Sequence, residues 1–445
     1  MSIVITDKTR VPFGDVGAAA VEKIQQKLTI RNPQFEAVKK FSPWGTKFTK
    51  IPEFIRNYVR QPDALLIPNG FDVKPFVNGA VIKDKRVEVP VKFPEPRIEL
   101  YPWQKEVGEI VKRTGGGVIL AETSAGKTVG ALSVAAHLGQ KTIVLLHRMP
   151  LFEGWYKDIE KLFGIGRDAV GLIKRDTWKI GYAITLASVQ TLIRRDFSSL
   201  IKEFGLLIAD EGHLFPAPAW SKTVEPFWAK YRLTITATPN RRDHKEPLMY
   251  HSFGKVCYTA PEGKALPVLV KLVQTNFQYD SFFWPEVEKV LANDQNRNQL
   301  IVEEIIKKYN RGKKILILVR RRLHGKLLKS ILWEYGLKPT LLLGGGISNE
   351  TRFRAAKKGL INILISTYQL IALGSDLPPI DTVVLASPVR DTNLLAQSIG
   401  RARRNYPGKK HALVIDFVDD CRMLENAYRK RLIFYDKKAT ILEKE

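Results

Sequence analysis

Short apolar runs recur along most of the chain, each followed by a helix-length stretch of mixed polar and apolar positions. A first series comprises Gly117–Leu120, Thr142–Leu146, Tyr182–Leu186, Leu206–Ala209 and Leu233–Thr236. A second comprises Lys314–Val319, Thr340–Leu343, Asn362–Ile365, Thr382–Leu385 and Ala412–Ile415. Strands alternating with helices predict parallel sheets with helical crossovers, so the chain reads as α/β with two such units in tandem. Residues 260–290 lack either period and read as an irregular connection. Before residue 97 the pattern differs. Val4-Ile5-Thr6 reads as a strand, Val16–Leu28 has helical spacing, and Ala80–Val89 suggests a hairpin turning at Lys83-Asp84-Lys85. Pro90, Pro94 and Pro96 then mark a linker. The expected organisation is a small α+β domain over residues 1–95, a first parallel-sheet domain over 96–262 and a second over 263–445.

A length of 445 residues suits two or three domains. Composition changes the picture mainly through charge. Lys and Arg number 71 against 45 Asp and Glu, a net charge of +26, which favours a polyanionic partner. A membrane surface fits less well, since no basic amphipathic helix with an apolar face stands out. No stretch is apolar enough to span a bilayer, and the first residues lack the form of a signal peptide. The two cysteines, Cys257 and Cys421, are too few for a zinc cluster or a disulfide framework. They read as packing residues suited to a reducing compartment.

Candidate chemistry sits at two strand ends of the first series. Ala121-Glu-Thr-Ser124-Ala125-Gly126-Lys127-Thr128 follows Gly117–Leu120, and Asp210-Glu211-Gly212-His213 follows Leu206–Ala209. Gly126 lets the backbone curl so that N–H groups face phosphate oxygens. Lys127 has the reach for β- and γ-phosphates, and Thr128 a hydroxyl for Mg²⁺. Asp210 then holds the same Mg²⁺, leaving Glu211 to orient the attacking water. Together these predict NTP hydrolysis. The second series has no such loop, but carries Gln397-Ser-Ile-Gly400-Arg401-Ala-Arg403-Arg404 on an expected helix. Arginines delivered to a γ-phosphate from another domain are worth about 10³–10⁵ in rate and make hydrolysis depend on domain closure.

In this order the motifs resemble superfamily 2 helicases with two RecA-like domains, over about residues 97–420. Leu100-Tyr101-Pro102-Trp103-Gln104 looks like that family's adenine-reading segment, with Gln104 on the base edge and Trp103 packed nearby. Tyr101 stands where the family usually has arginine. Asp210-Glu211-Gly212-His213 is of the DExH type. Thr236-Ala237-Thr238-Pro239 resembles the segment linking nucleotide site to nucleic-acid face, with His213 a further coupling candidate, and Asn240-Arg241-Arg242-Asp243 continues it as in duplex-DNA translocases. His324-Gly325-Lys326, with Gly344-Gly-Gly and Arg352, looks like the fourth motif region. Ser366-Thr367 through Gly374-Ser375-Asp376 resembles the fifth, and Gln397–Arg404 the sixth, with Arg401 and Arg404 facing phosphate. A narrower resemblance, carried by the Gly-Ser-Asp-Leu-Pro, Ala-Ser-Pro-Val and Gln-Ser-Ile-Gly-Arg stretches, is to phage branch-migration helicases of the UvsW type, RecG-like in activity. It implies ATP and Mg²⁺ as cofactors, branched, single-stranded or duplex DNA as partner, work in replication, recombination or repair, and a cytoplasmic setting, the host's if the chain is phage-encoded. It also implies nucleotide contacts from Gly374 and Asp376, and nucleic-acid contacts from Arg148, Ser188, Gln190, Arg320 and Thr367. His147-Arg148 departs from the proline and small hydroxyl residue usual in relatives.

Other features read two ways. Lys39 to Lys50 interleaves lysines, Lys47 among them, with Phe41, Trp44 and Phe48, which suits phosphate neutralisation and base stacking or a core with a solvated face. Arg320-Arg321-Arg322 at a strand end reads as a phosphate grip or a solvated charge run. Phe282-Phe283-Trp284 reads as packing between domains rather than a wedge. His213 reads as a coupling residue or a hydrogen-bonded interior histidine, and lacks a second ligand at metal spacing. The alternatives to a DNA motor are an RNA helicase, the motor subunit of a restriction-type complex, and a nucleic-acid-binding switch that does not turn over.

Overall fold

The computed structural model describes residues 2–41, 51–77, 79–122, 125–214, 222–237, 244–261, 265–281, 283–344, 347–373 and 377–442. It divides into two compact units, residues 1–263 and 264–445.

The first unit has two main sheets. One runs in the order Val59–Arg60, Ala64–Pro68, Lys8–Pro12, Ile3–Ile5, Ile82–Asp84, and the helix Ala18–Lys27 contributes to its core through Val21 and Ile24. The larger sheet runs Thr177–Lys179, Gly171–Lys174, Ile184–Ser188, Thr142–Leu146, Leu206–Asp210, Tyr231–Thr236, Gly116–Leu120, Val256–Thr259. All its pairings are parallel except that of Thr177–Lys179. Its central strands are buried on both faces, as helical crossovers require, which is why they read as unbroken apolar runs. Asp210 and Thr236 close adjacent strands, and the phosphate-loop strand lies next to the latter. The C-terminal ends of three neighbouring strands thus meet at one edge, where open α/β sheets bind ligands.

The second unit is a parallel sheet in the order Thr340–Leu342, Ile363–Thr367, Ile315–Val319, Thr382–Leu385, Ala412–Asp420, Val268–Gln278, Thr440–Ile441. Apolar clusters cover both of its faces. Beneath them lie two buried ion pairs on one strand, Arg297–Asp419 at 2.7 Å and Arg431–Asp416 at 2.8 Å. Both units are α/β with parallel sheets, and the N-terminal layer has its own small core.

Three expectations are corrected. Ala80–Val89 is not a hairpin: Ile82–Asp84 pairs in parallel with Ile3–Ile5, and its continuation bridges Val87 to Ala229 and Pro90 to Gln140. The strand finds a long-range partner instead of a neighbouring one, and Asp84 ties its end to the Arg86 backbone and side chain and to Lys230. The proline stretch is no free linker. Val91 N–H donates to Gly139 O, Arg97 N–H to Leu162 O, and Val91, Phe93, Ile98 and Leu100 pack on the first core. Residues 260–290 are not irregular throughout, since they hold the eleven-residue strand Val268–Gln278 and the start of the helix Trp284–Asn293. That strand was hidden because only part of it is buried and Lys271, Gln274 and Asn276 interrupt its apolar positions.

Candidate nucleotide site and its link to the strand-binding face

The helix Lys127–Leu138 starts directly from Gly126, whose φ of 78° puts the backbone in the left-handed region that glycine favours. The turn leads straight into the helix N-terminus, whose unpaired N–H groups suit an anion such as phosphate. Trp103 and Gln104 brace it from the neighbouring helix Pro102–Thr114. Trp103 Nε1–H donates to Ala125 O at 3.2 Å, and Gln104 Nε2–H to Gly126 O at 3.1 Å. Gln104 Oε1 accepts from Tyr101 N–H at 2.9 Å, so both ends of its amide are engaged by backbone and the residue is 3% exposed. Tyr101 is exposed, and its ring lies beside Gly126, with ring carbons 3.6–3.8 Å from where a Cβ there would stand.

The Lys127 ammonium pairs with Glu211. Glu211 has a φ of 49°, an uncommon value for a residue with a side chain, and such strain clusters at functional sites. Its other carboxylate oxygen accepts from Thr236 Oγ1 at 2.9 Å, and Thr236 Oγ1 lies 2.7 Å from His213 Nδ1. Burial pushes the Glu211 carboxyl up, but the charges of Lys127 and His213 and the hydrogen bonds from Lys127 and Thr236 outweigh it and hold it down. Asp210 goes the other way: burial and the Glu211 charge raise it, against Lys127 and a hydrogen bond from Trp155. Trp155 is a site residue that the sequence did not reveal. Its Nε1–H donates to Asp210 Oδ2 at 2.9 Å from within the core.

This donor set suits a magnesium–nucleotide. Mg²⁺ keeps several waters and takes one or two protein oxygens plus phosphates, as Asp210 and Thr128 offer. Among the described residues no group of three or more histidines, cysteines or carboxylates forms a standing metal cage.

Around the same strand ends Gln190 Nε2–H donates to His147 O, and Ser188 Oγ–H to Gln190 Oε1 at 3.0 Å. Arg148 caps the next helix without a side-chain cap bond. Burial lowers its pKa while the Glu211 charge raises it. In the second unit Thr367 ends its strand, Arg320 follows the end of Ile315–Val319, and Arg352 donates to Leu341 O at 3.0 Å. Gln397 and Arg401 lie on the helix Thr392–Ala402, with Arg404 just beyond its end. Arg320 N–H donates to Ser387 Oγ at 3.2 Å. That hydroxyl meets His324 Nδ1 at 3.2 Å, and His324 Nε2 meets Asn298 Oδ1 at 2.9 Å. Trp44, Lys47, Ser124, Thr238, Asn240–Asp243, Phe282, Gly374 and Asp376 lie outside the described residues. Both cysteines are free thiols, and burial pushes Cys257 up to about 11. Among the described residues no helix is long and apolar enough to cross a membrane.

Comparison with known proteins completes the picture. Residues 97–241 match the family of the type III restriction enzyme res subunit, and residues 296–406 match the helicase conserved C-terminal domain. The probable helicase D10 of Escherichia phage T5 is 23% identical over 346 residues, covering 75% of this chain and 74% of that protein. The DNA 3'-5' translocase XPB2 of Sulfurisphaera tokodaii is 29% identical over 204 residues, 46% of this chain and 42% of that one. Among solved structures, Dbp5 of S. cerevisiae bound to RNA and ADP BeF3 aligns over 77% of this chain and 94% of its own, at 14% identity and a TM-score of 0.53. T4 UvsW aligns over 99% of both chains at 15% identity and a TM-score of 0.45. With both helicase halves present between residues 97 and 406, the chain belongs to superfamily 2 as an ATP-dependent helicase.

Proposed function

We infer that the helicase is a DNA motor that remodels branched DNA, such as forks, D-loops and four-way junctions, in replication, recombination or repair. The observation that carries the motor reading is the linked run Lys127–Glu211–Thr236–His213. A switch that never turned over would need Lys127 to hold nucleotide, but not a water-orienting carboxylate tied to the strand end that leads into Thr236-Ala237-Thr238. In this reading Mg²⁺·ATP supplies the phosphoryl chemistry, held by Lys127, Thr128 and Asp210. Lys127 leaves Glu211 for the phosphate oxygens, and the freed carboxylate orients water and accepts its proton. Glu211 also releases or retakes Thr236 as it does so, which passes the nucleotide state toward the strand-binding segment. Gln397, Arg401 and Arg404 are assigned to the charge that develops on the γ-phosphate.

DNA is favoured over RNA by the XPB2 relative, whose name makes it a DNA translocase, and by the Asn240-Arg241-Arg242-Asp243 continuation. The excess of +26 supports a polyanion of either kind. The deciding experiment is ATP hydrolysis with single-stranded, duplex, forked and four-way-junction DNA and with RNA, in one salt series. Strongest stimulation by branched DNA, abolished by Lys127→Ala, is the expected result. Stimulation by RNA alone, or a Lys127→Ala protein as active as the wild type, would sink the proposal.

A further inference from the structure

The second unit carries an aromatic–cationic patch for which the hydrolysis cycle has no use. It forms where the helix Trp284–Asn293 begins beside the tip of the strand Ile315–Val319. Glu288, one turn into the helix, organises it. Trp284 Nε1–H donates to Glu288 Oε1 at 2.6 Å, Arg320 pairs with the same carboxylate, and Arg321 lies 4.0 Å from its other oxygen. Arg321 also donates to Pro285 O at 2.7 Å, tying strand tip to helix start. Over the Trp284 indole sit two guanidinium groups, that of Arg390 at 4.1 Å from the ring centroid and that of Arg320 at 5.6 Å. Two carboxylates, Glu288 here and Glu286 beside Phe283, against three arginines leave a positive excess of one. Arg390 is exposed, and among the described residues no carboxylate lies within ion-pair distance of it.

At the edge of this patch Phe283 caps the helix and is 64% exposed, whereas Trp284 is half-buried. A lone exposed phenylalanine is unremarkable. This one is held in place. Its N–H donates to Ser281 Oγ at 3.1 Å, and Ser281 Oγ–H and Tyr279 Oη–H each donate to Glu286 at 2.8 Å. The Phe283 backbone is therefore tied to Ser281 and to the helix start before any partner arrives, which lowers the entropic cost of binding there. A solvent-facing aromatic ring, next in sequence to an indole overlain by two guanidinium groups, suits a single strand, with stacking for a base and positive charge for nearby phosphates.

We propose that Phe283 stacks on an unpaired base of single-stranded DNA while Arg390 and the neighbouring Arg320 and Arg321 meet the flanking phosphates. The proposal rests on the reading of the chain as a DNA motor and adds a base-contacting element to it. Contact with a base face is tolerant of sequence, so it is compatible with movement along any strand.

The test is fluorescence-anisotropy binding of the full chain to labelled single strands, ordinary and abasic, at fixed salt. The proteins are wild type, Phe283→Ala, Phe283→Leu and Phe283→Trp, with melting temperatures recorded for each. The wild type is expected to bind the abasic strand about tenfold more weakly than the ordinary one. Phe283→Ala and Phe283→Leu should bind the ordinary strand about tenfold more weakly and lose the distinction, while Phe283→Trp keeps it. Phe283→Leu preserves apolar bulk, so a purely packing role predicts wild-type discrimination in that variant, and that result overturns the proposal. A wild type that binds RNA and not DNA overturns the DNA reading instead. The same variants on ordinary and abasic RNA then decide the stacking role.

Discussion

Trp155 shows what a single buried donor does for a carboxylate that the proposed cycle assigns to Mg²⁺. Asp210 sits in the core beside a second carboxylate, two conditions that drive it toward its neutral form, and a neutral carboxyl is a poor Mg²⁺ ligand. The indole N–H at 2.9 Å opposes both and fixes Oδ2. Hydrogen bonds to charged groups are worth about 1.5–3 kcal/mol. Trp155→Phe keeps most of the ring volume and removes the donor. It should lower hydrolysis at limiting Mg²⁺ on the order of tenfold, with partial recovery as Mg²⁺ is raised, read by steady-state rates across a Mg²⁺ titration. Unchanged rates would mean the bond is only structural. Sequence reading singled out Lys127, Thr128, Asp210 and Glu211 because their spacing from strand ends follows from phosphate chemistry, and the fold brings Lys127, Asp210 and Glu211 together. It could not reach Trp155, which comes from a helix 55 residues before its partner and looks like any core tryptophan.

The helix pair beneath the phosphate loop is packed without slack. A Cβ on Gly130 would stand 2.2 Å from the Trp103 indole, whose N–H holds Ala125 O. Overpacking of this kind costs about 1–3 kcal/mol. Gly130→Ala should therefore lower the melting temperature and weaken ATP binding together, measured by thermal unfolding with and without nucleotide; a shift in stability alone would separate the helix contact from the loop. The second unit offers an element-scale pH prediction. His324 joins the helix Arg322–Glu334 to the strand tip and to Asn298, and burial, reinforced by the Arg297 charge, lowers its pKa to about 3. The unfolded chain takes up that proton near 6.5, so the folded state binds fewer protons between about 6.5 and 3. Stability is fully present above 6.5 and is lost as pH falls through that window, by roughly 4 kcal/mol at its acid end. Urea midpoints across this range should fall, and less steeply in His324→Gln. The central strands were legible as elements because burial on both faces makes them uniformly apolar. Val268–Gln278 was not, since partial cover leaves room for polar residues that blur the signal.

The N-terminal layer and the larger sheet of the first unit meet at a close backbone approach as well as through side chains. A Cβ on Gly70 would lie 2.4 Å from Gly254 N and 2.6 Å from Phe253 N. Beside that contact Asn57 Nδ2 lies 3.1 Å from His251 Nδ1, Lys8 pairs with Glu225 at 3.4 Å, and Arg232 donates to Asp7 O at 3.2 Å. Gly70→Leu should pry the layer away, giving a lower and broader melt of the first unit and faster proteolysis within residues 1–84, read by calorimetry and timed digestion. A single sharp transition at the wild-type temperature would contradict this. Two tandem α/β units were visible in the sequence, but this attachment was not, because it depends on which distant backbones touch and leaves no periodicity behind. The strap of residues 85–100 then acquires a mechanical meaning. It leaves the small sheet alongside Ile3–Ile5, bridges Ala229 and Gln140 in turn, and runs on into the helix that carries Trp103 and Gln104. Those bridges anchor the strap to the larger sheet on its way to that helix. A displacement of the N-terminal layer would therefore reach the helix whose Gln104 holds Gly126 O, making the strap a tendon through which load could alter nucleotide affinity.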